Sequence, residues 1–317
     1  MTTLKIGQQF QTQTINSNEK NNKGKKFMQR AQDVGAVATA GIGFLGVEYV
    51  FKKIKLGVNK EFSSNLMMSS DIMSKETAEM LFKNSGLSEK GVSLIDFSNK
   101  QNSVSALADF LSKFDQLKTQ KKGLKKMLGA FKNLRNEILD NIIMSGSNAA
   151  YIPSDKKIKI NLEKLGAALP HEMGHAKNCN SYGLGRVLFN SRYLSLLTLP
   201  IALIALFRKP SDKREESTTA VGKTLDFVKD NSVGLTAACV APTALEEGLA
   251  SIKASKLSKE FLSPDKLKAL NKFNFTAWKG YAVGGIATIT AVCVANIIKN
   301  LLSADDTPEK KSSEIYC

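Results

Sequence analysis

Four apolar stretches interrupt an otherwise polar, lysine-rich chain. Residues 34–51 (VGAVATAGIGFLGVEYVF) are apolar apart from Glu48, and residues 281–302 (YAVGGIATITAVCVANIIKNLL) form the longest such run. Between them lie 193–207 (YLSLLTLPIALIALF), strongly apolar but short, and 233–245, diluted by threonine and by Pro242. A helix needs about 20 apolar residues to cross a bilayer, so 34–51 reads as a signal-anchor or short membrane helix and 281–302 as a membrane helix. The first run starts too far along for an ordinary cleaved signal peptide. A mean hydropathy of −0.16 is low for a chain that is mostly membrane. It favours a body outside the bilayer with a few anchoring helices.

The polar segments divide by their periodicity. Residues 1–33, rich in Gln, Asn, Thr and Lys, read as a weakly ordered basic arm. Residues 52–143 read as helical, with amphipathic helices over 71–82, 104–117 and 124–143; Leu107, Phe110, Leu111, Phe114 and Leu117 recur at three- and four-residue intervals. The basic stretch 121–139 also suits a membrane surface. The texture then changes. Residues 148–152 (NAAYI) and 157–161 (KIKIN) are short extended runs parted by Pro153, Ser154 and Asp155, which predicts two antiparallel strands. A helix from Leu162 leads to Pro170, where the favourable fit of proline to a first helical turn predicts a new start or a kink. Gly183 and Gly185 are expected to end that helix. The fold class is mainly α with a small antiparallel β element (α+β).

Charge adds a partner. Against 45 Lys and Arg the chain sets 29 Asp and Glu, a net +16, which attracts an anionic surface. Membrane lipid is the expected partner, and nucleic acid is not: the aromatics are not interleaved with the lysines in any recognisable binding module. Loop 208–231 carries six Lys and Arg, which disfavours its transfer across a membrane. The stretches 193–207 and 233–245 are therefore expected to dip into the bilayer or pack on the core. The four cysteines, at 179, 239, 293 and 317, lack metal-ligand spacing and read as free thiols of a reducing compartment.

Histidine is where the chemistry concentrates. The chain has two, and both fall within HEMGH at 171–175. Four residues apart on a helix, His171 and His175 stand on one face and reach one ion, while Glu172 points aside as a catalytic base. Zinc suits this set, because it lowers the pKa of a water towards neutrality and a carboxylate can then take the proton. A third protein ligand is required and no histidine remains, so it should be a carboxylate. Asp212, Glu215, Glu216, Asp226, Asp230 and Asp265 lie in charged, loop-like sequence. Glu246 and Glu247 stand out, because they open a small-residue helical run, ALEEGLASIKA.

HEMGHAKN followed some seventy residues later by Glu247, Ala250 and Ser251 resembles the membrane-anchored gluzincins of the HtpX and CAAX-prenyl-protease type. That resemblance implies a zincin-like catalytic core over 144–256, containing the apolar hairpin 193–245 and followed by a C-terminal region, 257–317. It implies Glu247 as the third ligand of one Zn2+ and Ala250 as a small packing residue. Ser251 stands where the family usually has an aspartate that orients a ligand histidine. The strands at 148–152 and 157–161 resemble the family's edge-strand region, which implies that a polypeptide substrate adds in extended form beside Ala149, Ala150 and Tyr151.

The function expected is a membrane-associated, zinc-dependent metalloendopeptidase. Tyr182 and Tyr281 are the candidates for steadying the oxyanion. A catalytically inactive zincin-fold scaffold or regulator is the alternative; Ser251 favours it and the intact Glu172 opposes it. Proteolysis within the membrane plane is disfavoured, because Glu163, Lys164 and Lys177 lie too close to HEMGH.

Overall fold

The computed structural model describes the backbone of residues 3–99 and 138–304, and the side chains of 24–62, 68–99 and 138–304. The helices expected at 104–117 and over most of 121–143 lie outside the described residues. The chain divides into two compact units, one of residues 1–53, 194–240 and 285–317 and the other of 54–193 and 241–284. The apolar stretch 193–207 therefore falls almost wholly in the first unit, and 233–245 is split between the two. Residues 54–99, read as a separate helical region, belong to the unit that holds HEMGH.

The first unit is helical. It draws on α1 (Thr3–Met67), α5 (Thr198–Phe207), α6 (Ala220–Asp230), α7 (Ser232–Ser258) and α8 (Pro264–Leu302). Where composition suggested a weakly ordered arm, the backbone is helical from Thr3 onwards. Small residues let α1 and α8 approach: Ala36 and Ala40 are buried, as are Ala287, Ala291 and Ala295. A Cβ on Gly43 would collide with Ile298. Gly24–Phe62, Leu184–Lys213 and Pro264–Leu302 are long and apolar enough to cross a membrane, which is consistent with a membrane location. Loop 208–231 neutralises much of its charge internally: Arg208 and Arg214 meet Asp226 at 2.7 and 2.9 Å, and Arg214 meets Asp230 at 2.7 Å.

The second unit is built around a three-stranded sheet. Strands β2 (Ala150–Ile152) and β3 (Lys157–Ile160) are antiparallel, as the turn signal implied, with Tyr151 opposite Ile158. The turn closes through Lys156 at a φ of 50°, the described residues' one non-glycine with positive φ. A further strand, β1 (Ser93–Asp96), pairs parallel with β3 on its other side, so the sheet is mixed rather than antiparallel. Strand β2 is an edge. Helix α2 (Lys75–Lys83), capped by Ser74, buries Ala78, Leu81 and Phe82 in the same core as Ile158 and Ile160.

Helix α3 (Leu169–Cys179) carries HEMGH and follows a turn of 3-10 helix at Gly166–Ala168, with Pro170 in its first turn as the sequence implied. It ends at Cys179, ahead of Gly183, which instead precedes α4 (Leu184–Ser191). Leu169, Met173 and Ala176, at helical spacing, are buried with the β3 isoleucines. That leaves His171 and His175 for the opposite side, with Glu172 on the flank between. There α7 crosses at very close range. A Cβ on Gly174 would collide with the Ala250 carbonyl oxygen and lie 2.8 Å from the Ala250 Cα. Replacing Gly174 by alanine should therefore destabilise the protein by about 1–3 kcal/mol, by forcing the helices apart. Denaturation in detergent would measure this.

Candidate metal centre

Helix α3 presents its two histidines edge to face, with ring centroids 4.6 Å apart and planes at 90°. The crossing at Gly174 and Ala250 sets Glu247, three residues before Ala250, over both rings. Three atoms converge. His171 Nε2 lies 3.1 Å from His175 Nε2 and 3.1 Å from Glu247 Oε2, and His175 Nε2 lies 3.5 Å from the same oxygen. Metal–ligand bonds of about 2.0–2.1 Å in a tetrahedron set ligand atoms about 3.3–3.4 Å apart, so this triangle has the size of one face of a zinc site.

The outer ring nitrogens decide what the inner ones present. The Ser251 hydroxyl donates its one proton to the Glu247 carbonyl at 2.9 Å, so towards His171 Nδ1, 3.3 Å away, its oxygen can only accept. This arrangement suits the His171 tautomer with its proton on Nδ1. His175 Nδ1 lies 2.8 Å from Glu246 Oε1, whose ionised carboxylate also only accepts. In the neutral form that a metal would require, both rings would turn Nε2 lone pairs inwards, towards each other and a carboxylate oxygen. Three acceptors facing one point call for a cation. The donor set fits a divalent ion, held by His171, His175 and Glu247.

A proton competes with a metal for this place, and the surrounding acids hold it firmly. Burial alone would push the Glu247 carboxyl up, but hydrogen bonds from both histidines hold it far below the usual carboxylate range. Burial would likewise lower His175, yet its contacts with Glu246 and Glu247 raise it to about 10. The pocket favours positive charge. Arg192 braces the acids from the other side, with its two terminal nitrogens 3.3 Å from Glu246 Oε2 and 3.1 Å from Glu247 Oε1, and it packs over the Phe189 ring.

Glu172 is anchored from the sheet. The Tyr151 backbone N–H donates to Glu172 Oε2 at 2.6 Å. Antiparallel pairing sends successive residues' polar groups to alternate sides, so the Tyr151 carbonyl faces the same free edge of β2. Ala149, Ala150 and Tyr151 line one cavity with His171, Glu172, His175, Glu247 and Tyr281, of about 260 Å³. The Tyr151 ring turns into the core, where Asn180 donates to its hydroxyl at 3.0 Å. Of the two oxyanion candidates, Tyr281 lines the cavity, whereas Tyr182 is 93% exposed and does not.

Sequence reading left Glu246 and Glu247 open until the resemblance chose Glu247, and it missed the tasks of Glu246, Arg192 and Asn178. The Asn178 amide donates to Glu246 Oε1 at 2.8 Å. A doubled glutamate was the one available signal, since neighbours on a helix point about 100° apart and can hold a ligand and its support. Asp226 and Asp230, among the rejected acids, are ion-paired to arginines in the other unit. No protein-family model, curated protein or solved structure matches the chain.

If the triangle holds Zn2+, removing the outer partners should weaken that hold without abolishing it. Glu246→Ala and Ser251→Ala are each expected to lower Zn2+ affinity by about 10–100-fold, measured by chelator competition on the detergent-purified protein.

Proposed function

We propose that the chain is a membrane-associated, zinc-dependent metalloendopeptidase of gluzincin type. The observation that carries this reading is the triangle of His171 Nε2, His175 Nε2 and Glu247 Oε2, with both Nδ1 atoms committed outwards. Glu172 beside it supplies the base that a purely structural site would not need. The three apolar helices support the membrane association.

A divalent ion in this triangle would acidify a water and polarise a carbonyl. The protein's own groups do the rest. A polypeptide lies extended along Ala149, Ala150 and Tyr151, donating a backbone N–H to the Tyr151 carbonyl on the outer edge of β2. Glu172, held by the Tyr151 N–H, takes a proton from the attacking water and delivers it to the leaving nitrogen. One water is consumed, the C–N bond breaks, and a carboxylate and an amine result. The Tyr281 hydroxyl, on the cavity wall, donates to the oxyanion.

Zinc per chain and peptide cleavage, measured together, test the assignment. Glu172→Gln should keep its zinc and lose about 10²–10⁴-fold in kcat. Glu247→Ala should lose the metal itself. Zinc bound normally by a parent that cleaves no peptide would instead favour the inactive scaffold.

A further inference from the structure

The cavity is also lined from α8, where Asn274, Ala277 and Tyr281 recur at helical spacing. Asn274 is 2% exposed, and neither its Oδ1 nor its Nδ2 has a hydrogen-bond partner. A carboxamide left so is costly, and this one belongs to a residue that lines the cavity. A buried, unpaired amide on the lining of a cavity is the mark of a group kept for a ligand.

Resting on the peptidase reading, we propose that the Asn274 carboxamide is a substrate-binding group, pairing with the main-chain N–H and C=O of one residue of an extended peptide. A primary amide offers a donor and an acceptor side by side. In an extended chain the N–H and C=O of one residue point to the same side, so the two match as neighbouring strands do. The Tyr151 carbonyl of β2 takes one backbone N–H of the peptide, and Asn274 of α8 takes another residue's N–H and C=O. Held by its backbone at both points, the substrate is read for extended conformation more than for sequence. A glutamine or asparagine side chain of the substrate carries the same amide chemistry and is the other source to separate.

The test uses full-length protein in detergent and a fluorogenic decapeptide that the parent cleaves, drawn from a randomised library. Asn274→Leu should melt no lower than the parent and keep its zinc, yet raise KM about tenfold with kcat within about threefold. The same weakening should appear in direct binding of the peptide to the zinc-loaded Glu172→Gln protein. Asn274→Gln should recover part of it. Methylating the backbone nitrogen of one particular residue should cost the parent about the same tenfold and cost Asn274→Leu nothing further. Unchanged KM and binding in Asn274→Leu overturn the assignment while leaving the peptidase reading intact. Weakening traced to a glutamine or asparagine side chain, with no methylation effect, overturns the main-chain pairing. A zinc-loaded parent that cleaves no library peptide removes the peptidase reading, and this inference with it.

Discussion

Everything in the site depends on how closely two helices cross. With no side chain at 174 and a methyl at 250, α7 lies against the backbone of α3, and a glutamate one turn along reaches two imidazoles from above. Glutamate is long enough to span a further ångström or two, but only by giving up its fixed rotamer. The contact converts a distant residue in sequence into a rigid donor. It also explains the composition of ALEEGLASIKA, whose alanines and glycine look featureless until the facing helix is in place.

The second constraint is directional. A histidine pair can meet a carboxylate through ordinary hydrogen bonds, and proximity alone would prove little. Here each outer nitrogen is matched to an atom that can only accept, one because its proton is already donated elsewhere and one because it is ionised. Arg192, spanning both glutamates, offsets part of their charge and keeps the adjacent carboxylates from turning to the same task. Ser251 therefore does for His171 what an acid would do, with a neutral oxygen.

Much of this was legible from the chain and some was not. Local spacing was enough for HEMGH, for the turn after Ile152 and for three of the apolar helices, since each is encoded within twenty or so residues. Strand β1 was not legible: four residues inside an otherwise helical pattern, paired parallel to a partner more than sixty positions on, leave no periodic trace. The N-terminal helix was hidden by polar composition, which reports solvation rather than backbone conformation. Arg192 and Asn178 were invisible for another reason. Each sits in sequence that gives no sign of carboxylates approaching from α7, and their roles exist only once the helices cross.

The hairpin turn has an effect well beyond its own few residues. Lys156, in the left-handed region, fixes which residue of β2 stands opposite which of β3. In a strand, a slip of one position exchanges inward for outward amides. Tyr151 would then aim its N–H at β3, and Glu172 would lose the anchor that orients its carboxylate. The alignment of the acid beside the two histidines is thus set by a lysine at a solvent-facing bend, and backbone handedness there governs the aim of a carboxylate it never touches.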